Sequence, residues 1–230
     1  MITADFLDNL NLFSPGEVFH VGSLSPADKR NNSYEGSGLS VSMHPEDWEQ
    51  IAGLGGHPHW SLKPGPHTSP LAGAFLLATS LSDTQVRTIS DWAVSQDLLV
   101  PQQRWRLDYC GNDDNGEDIA SHIIFKTLTE ANAEANAMSE DSEPSVAAIT
   151  MNVATDKMLA RCAVTVNDLM ASDIALTMFA EDHGLDGVWW DDHLDPANLS
   201  APRGVICLSK LDSWSKEMVR EACKAPTPRM

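Results

Sequence analysis

Three short stretches, far apart in the chain, hold side chains that can do chemistry: His20 in "VFHVGS", Ser40 and Ser42 in "GLSVS", and Asp191 and Asp192 directly after "DGVWW". A histidine combines a hydrogen-bond donor and acceptor in one ring, a serine does so on a short stem, and a carboxylate offers charge or accepts a proton. Trp189 and Trp190 precede the two aspartates, and the chain returns through a Pro/Ala/Ser-rich stretch to Arg203 and the apolar run "GVICL". Residues 186–208 therefore read either as a strand, loop and strand that simply fold back, or as carboxylates held at the mouth of a site. Each residue also has a plainer reading. His20 can be a strand histidine satisfied by a neighbouring carbonyl, and either aspartate can be one of many solvated acids. Trp189 and Trp190 alternate across a strand, so one belongs to a core and only the other can face a site. Ser40 and Ser42 share one strand face, where surface hydroxyls are common. Arg203 can bind a phosphate or pair with a nearby aspartate.

Other chemistries are excluded by what the sequence lacks. His57, His59 and His67 sit in a Gly/Pro-rich stretch without the helical spacing or the cysteines of a zinc site, which argues against a bound metal. There is no phosphate-binding G-x-x-x-x-G-K-[ST] loop, no complete dinucleotide fingerprint and no G-x-S-x-G elbow. The four cysteines are scattered with no C-x-x-C pair, which fits reduced thiols in a cytoplasm better than a disulfide framework. With 15 Lys+Arg against 33 Asp+Glu, the formal net charge of −18 repels phosphate backbones and disfavours non-specific nucleic-acid binding. No stretch approaches the ~20 apolar residues of a membrane span.

The elements that must position these residues follow from hydrophobic period and caps. Alternation predicts a strand at 17–22 and another in "LSVSM", followed by a short helix with Pro45 in its first turn. Residues 53–68 carry enough Gly and Pro to predict a long surface loop. Two helices are expected next, one opening at Ser69 and Pro70 and one in "SDTQVRTISDWAVSQDLL", where Val86, Ile89 and Ala93 share a face. A strand is predicted at 104–110, then a helix outlined by Ile119, Ile123, Ile124, Thr127, Leu128 and Ala131. "SVAAITMNVAT" and "RCAVTVND" read as strands flanking a helical turn in "TDKMLAR", and "ASDIALTMFAEDHG" reads as a helix stopped at Gly184. The strand "DGVWW" follows, and a short amphipathic helix is expected in the tail. The sum is α+β: one domain over 1–230, a mostly antiparallel split sheet, and a largely helical middle at 53–145.

In the order of its motifs the chain resembles the ADP-ribosyltransferase fold, the clan of diphtheria-toxin-like and poly(ADP-ribose)-polymerase-like enzymes. "FHVGS" is similar to the first-strand phrase that carries a histidine in such enzymes. "GLSVSMHPEDW" is similar to their second strand and following helix, and "HGLDGVWWDDHLDPANLSAPRGVICL" to their closing strand, loop and strand. The motif order is closest to the small anti-CRISPR ADP-ribosyltransferases. The likeness covers the first fifty residues and roughly 172–210. Where many members open the final strand with a glutamate, this chain has Arg203 and Gly204, so the acid falls to Asp191 or Asp192, with Asp191 on the strand face of Trp189.

The resemblance implies NAD as co-substrate and transfer of ADP-ribose, with nicotinamide released, to a macromolecular acceptor, a protein before other classes. It implies that Asp191 or Asp192 stabilises the cation formed at the ribose, and that His20 hydrogen-bonds the adenosine ribose. Gly22, Ser40 and Ser42 then line the site, Tyr34, Trp189 or Trp190 stacks on the nicotinamide, and Arg203 meets a phosphate. Such a toxin or effector works in the cytoplasm, its own or that of a host cell. Two alternatives stay open: an NAD glycohydrolase, with water as acceptor, and a non-enzymatic acidic binder such as an inhibitor, immunity protein or nucleic-acid mimic, to which the charge of −18 points.

Overall fold

A computed structural model describes residues 6, 10–25, 38–74, 82–112, 118–138, 142–162, 171–190, 194 and 201–222. In chain order the elements are β1 (Val18–Val21), β2 (Gly38–Ser42), α1 (Pro45–Ile51), β3 (His59–Pro64), β4 (Leu71–Ala74), α2 (Asp83–Ser95), β5 (Leu99–Asn112), β6 (Asp118–Phe125) and α3 (Leu128–Ala137). There follow β7 (Ser145–Ala154), α4 (Asp156–Arg161), α5 (Ala171–Asp182), β8 (Gly187–Trp190), β9 (Arg203–Cys207), a 3-10 turn (Leu208–Ser213) and β10 (Trp214–Arg220). The fold is α+β, as the sequence predicts. The chain divides into two compact units, one of residues 1–99 with 154–230 and one of residues 100–153.

The first unit is built on a seven-stranded sheet in the order β10-β3-β1-β2-β9-β8-β4, antiparallel except for the parallel edge pair β4–β8. Register sorts the side chains onto two faces. On one, Val18, Leu39, Val41, Leu62, Trp189 and Ile206 form an apolar cluster closed by Leu211 and Trp214. On the other, Ala72, Val188, Trp190 and Val205 pack against Ile89 of α2 and Leu176, Phe179 and Ala180 of α5. A third cluster joins Ala93, Leu98 and Leu99 to Met158 of α4 and to Ile174, Ala175 and Met178 of α5. Burial on both faces explains why "GVWW" and "GVIC" are near-continuous apolar runs: no position on these strands faces water. Helix α2 starts where the sequence places it, at a Ser82 capping box with Gln85, and α5 runs from Ala171 to Asp182 as expected.

Four expectations are corrected. Residues 59–64 are a strand inside the sheet, with β1 on one side and β10 on the other. The Gly and Pro residues that suggested a continuous loop flank a six-residue strand in which Trp60 and Leu62 alternate with His59 and Ser61. Residues 71–74, expected in a helix opening at Ser69, pair with β8, and Leu71 and Ala72 are fully buried at that edge. The helix drawn through Ile119, Ile123, Ile124 and Ala131 is strand β6 followed by α3, with the break at the Thr127–Glu130 capping box. Ile123 and Ile124 lie on opposite faces of β6, a spacing that a helical reading misassigns. The tail forms edge strand β10, because pairing with β3 satisfies its backbone where its own period is weak. Among the described residues of the middle, strands β3 to β6 thus outweigh helices α2 and α3. The strand expected in "RCAVTVND" falls, beyond Cys162, outside the described residues.

The second unit holds a three-stranded sheet in the order β6-β5-β7, with α3 following β6. Trp105 faces Phe125 and Leu107 faces Ile123 across the β5–β6 pair, and Leu107 and Ala131 are fully buried. The cross-strand aromatic and aliphatic pairs stabilise this sheet.

Candidate functional site

The sheet order brings the three chemistry-bearing stretches together. Strands β1, β2, β9 and β8 are consecutive neighbours, so His20, the serines of "GLSVS", Arg203 and the end of "DGVWW" lie on adjacent strands although up to 183 residues separate His20 from Arg203 in sequence. Trp190, the last residue of β8, sits opposite Arg203, which in turn sits opposite Ser42. Asp191 and Asp192 follow Trp190 directly in the chain; they and Tyr34 lie outside the described residues.

His20 is fully buried on β1. Its Nδ1 is 2.7 Å from the Ser40 carbonyl oxygen on β2 and its Nε2 is 3.0 Å from the Ser23 carbonyl oxygen. Carbonyls accept, so a ring that donates to both carries two protons, and the neutral ring keeps only one of the two bonds. This is the carbonyl-satisfied histidine that the sequence left open. Gly22 is buried in a backbone conformation, φ +126°, that disfavours any side chain. Its N–H donates to the Pro58 carbonyl at 2.9 Å and its carbonyl accepts from Trp60 Nε1 at 3.0 Å.

Ser42 Oγ donates to the Pro202 carbonyl at 2.8 Å and accepts from the His44 N–H at 3.0 Å, tying the end of β2 to the approach to β9 and to the start of α1. Ser40 Oγ is buried and has no hydrogen-bond partner among the described residues. Both serines are therefore interior groups, not the surface hydroxyls of the plainer reading. Arg203 is buried with its guanidinium carbon 5.1 Å from the Trp48 ring centroid, a cation–π contact that adds to the two partners expected for it.

The tryptophans do not divide into one core and one site-facing residue. Trp189 is 3% exposed and Trp190 1%, each in the cluster on its own side of the sheet. Trp189 stacks on Phe13 with ring centroids 4.8 Å apart, and Gly204 gives its other side room.

Two constellations were not foreseen. Asp186, the acid of "GLDGV", is 2% exposed and accepts from Trp214 Nε1 at 2.7 Å, while its backbone N–H donates to Pro70 and its carbonyl accepts from Cys207. Its position just before a buried strand was a signal, lost among 33 acidic residues. Glu49 of α1 accepts from Gly56 N–H at 2.8 Å, from Arg220 Nη2, and lies 3.1 Å from His59 Nε2. The bond from Arg220 chiefly holds the Glu49 carboxyl below the usual carboxylate range. With both oxygens engaged, Glu49 acts as a tie joining α1, β3 and β10, not as a free base. His59 is thus spent on a carboxylate, and among the described residues no group of three His, Cys, Asp or Glu can hold a metal.

The two buried cysteines are disfavoured as nucleophiles. Burial pushes the Cys162 thiol to about 11 and the Cys207 thiol to about 12, so both stay protonated near neutral pH. No helix among the described residues is long and apolar enough to cross a membrane. No family model matches the chain, no curated protein matches it, and no solved structure matches it.

Proposed function

We propose that the chain is an NAD-dependent ADP-ribosyltransferase whose site lies where β1, β2, β9 and β8 meet, with Asp191 or Asp192 as its acid. The observation that carries this reading is the adjacency of those four strands: the three stretches that resemble the transferase motifs come from both ends of the sequence and become neighbours in one sheet. A site that must hold a dinucleotide needs its histidine, hydroxyls and carboxylate within one span, and the neighbouring places of His20, Ser40, Ser42 and the end of β8 in the sheet support that reading. His20 braces β1 on β2 through the Ser40 carbonyl, which fixes the ring, and the buried, unpartnered Ser40 Oγ is a polar group that a bound ligand or the chain around it can use. NAD supplies the glycosidic bond to be broken. The carboxylate after β8 stabilises positive charge developing at the ribose carbon, and Arg203 adds positive charge at the head of β9.

The test is release of nicotinamide from NAD by purified protein, with and without protein acceptors. Turnover by the wild type and a fall of roughly 10²–10³ in rate in Asp191→Ala or Asp192→Ala is the expected result. Absence of NAD binding and turnover, or two aspartate variants indistinguishable from wild type, overturns the reading. Release without an acceptor identifies a glycohydrolase. The charge of −18 favours a second reading, a non-enzymatic acidic binder, whose mark is salt-sensitive capture of a basic partner that survives loss of His20 and both aspartates.

A further inference from the structure

The geometry points to β10 as a docking edge: an extended segment of a partner protein, basic on one face and apolar on the other, adds to the sheet beside it. This goes beyond the function proposed above and does not depend on it.

Strand β10 ends the seven-stranded sheet, with β3 on its inner side and, among the described residues, no strand on its outer side. Backbone N–H and C=O groups of a strand point alternately to its two sides, so every second residue of Trp214–Arg220 turns its pair outward. Such an edge is a template for one more strand. Trp214 is the only buried residue of β10, and Met218 is 45% exposed and Val219 53%.

Register sorts the side chains of this edge into two chemistries. Met218 lies opposite half-buried Trp60, on the sheet face of Leu62 and Trp214, so that face offers apolar contact. Glu217 lies opposite Ser61 on the other face. The charges of the edge are unevenly spent. Lys216 is paired with Asp212 at 3.1 Å and Arg220 with Glu49, whereas Glu217 and Glu221 have no cation partner among the described residues. An incoming strand therefore meets an unpaired carboxylate on one face and apolar side chains on the other, and its complement alternates basic with apolar residues. The net charge of −18 draws a basic segment in the same direction.

A second copy of this chain is a poorer occupant. Two β10 strands that pair antiparallel about a two-fold axis set residues of the same face against each other. Centred on Glu217, the pairing puts Glu217 against Glu217; centred on Lys216, it puts Lys216 against Lys216. Like charges directly opposite destabilise a sheet pair. Centring on Met218 runs the irregularity between Met218 and Arg220 of each copy into the pairing.

The experiment is amide hydrogen exchange, followed by NMR on the isotope-labelled full chain, with a blocked peptide of about nine residues that alternates lysine and valine. The expected result is exchange slowed about tenfold at alternate amides of β10, with affinity that falls as salt rises. Glu217→Lys should weaken binding about tenfold, whereas Glu134→Lys on α3, equally exposed and with the same change in charge, should leave it within about twofold, both variants being checked for native circular dichroism. The same peptide methylated at every backbone amide cannot donate to the edge and should leave β10 unchanged. Unslowed β10 amides, equal losses in the two variants, or equal binding of the methylated peptide overturns the docking edge. Slowing at β10 that grows with protein concentration and needs no peptide assigns the edge to a second copy and overturns it as well. None of these outcomes bears on nicotinamide release, which tests the proposed function separately.

Discussion

Gly204→Ala tests the described packing against a ring and a backbone oxygen at once. Gly204 faces Trp189 across the β8–β9 pair, and a methyl group there would lie 2.6 Å from Trp189 Cε3 and 2.7 Å from the Val188 carbonyl oxygen. Relaxed carbon contacts are about 3.5–4.0 Å, so both approaches are repulsive. The ring has little freedom to retreat, because it is 3% exposed and stacked on Phe13. Overpacking a filled core costs typically 1–3 kcal/mol, and with a backbone oxygen among the clashing atoms Gly204→Ala should cost roughly 3 kcal/mol. Trp189→Leu removes one of the two clashes, so in that background the cost of Gly204→Ala should fall by about 1–2 kcal/mol, a coupling readable from a double-mutant cycle. Gly187→Ala is the control: its methyl would meet the Val205 carbonyl at 1.8 Å, a backbone clash that no side-chain change relieves. Urea unfolding followed by tryptophan fluorescence is the assay, since of the seven tryptophans only Trp105 belongs to the 100–153 unit. A Gly204→Ala loss below about 0.5 kcal/mol, or one undiminished beside Trp189→Leu, refutes the packing described.

Two further predictions concern pH. Burial raises the Asp173 carboxyl from 3.8 to about 6, so between those values the native state binds more protons than the unfolded state and stability falls as pH rises. Asp173→Asn should remove that slope and, discounted for partial exposure and for an acid's favourable place in a helix's first turn, raise stability near pH 7 by about 1 kcal/mol, measured as unfolding midpoints at pH 4 and 7. Glu49 has the opposite sign. Its lowered carboxyl stabilises the fold fully above the unfolded value of 4.5 and progressively less as pH falls through its lower folded value. The stability difference between wild type and Glu49→Gln should therefore be largest at neutral pH and shrink below about pH 4.5; a constant difference from pH 7 to 3 refutes the Arg220 tie.

Strands β1, β2, β8 and β9 and helices α1, α2 and α5 were legible in the sequence because their signals are local. Alternation marks "VFHVGS", Pro45 opens α1, Val86, Ile89 and Ala93 share a face of α2, and the long apolar set of "ASDIALTMFAED" reads as a helix. The elements that were missed are those whose identity is set by a partner. β3 is a strand because β1 and β10 pair with it on both sides, β4 because β8 lies beside it, and β10 because β3 offers an edge. "LAGA" or "SKEMVR" alone does not carry enough preference to decide.

The site divides in the same way. Residue types made His20, Ser40, Ser42, Arg203 and the acids after "DGVWW" eligible, and the order of the motifs, through the resemblance it carries, singled them out. Only the tertiary structure decided what each one touches: that the His20 ring lies between the Ser40 and Ser23 carbonyls, that both tryptophans are core, that Glu49 joins His59 and Arg220, and that Asp186 answers Trp214. The physical reason is range. A side chain's chemistry is fixed by its own atoms, whereas burial and hydrogen-bond partners come from strands up to 183 residues away, brought together by a sheet whose order no local stretch encodes.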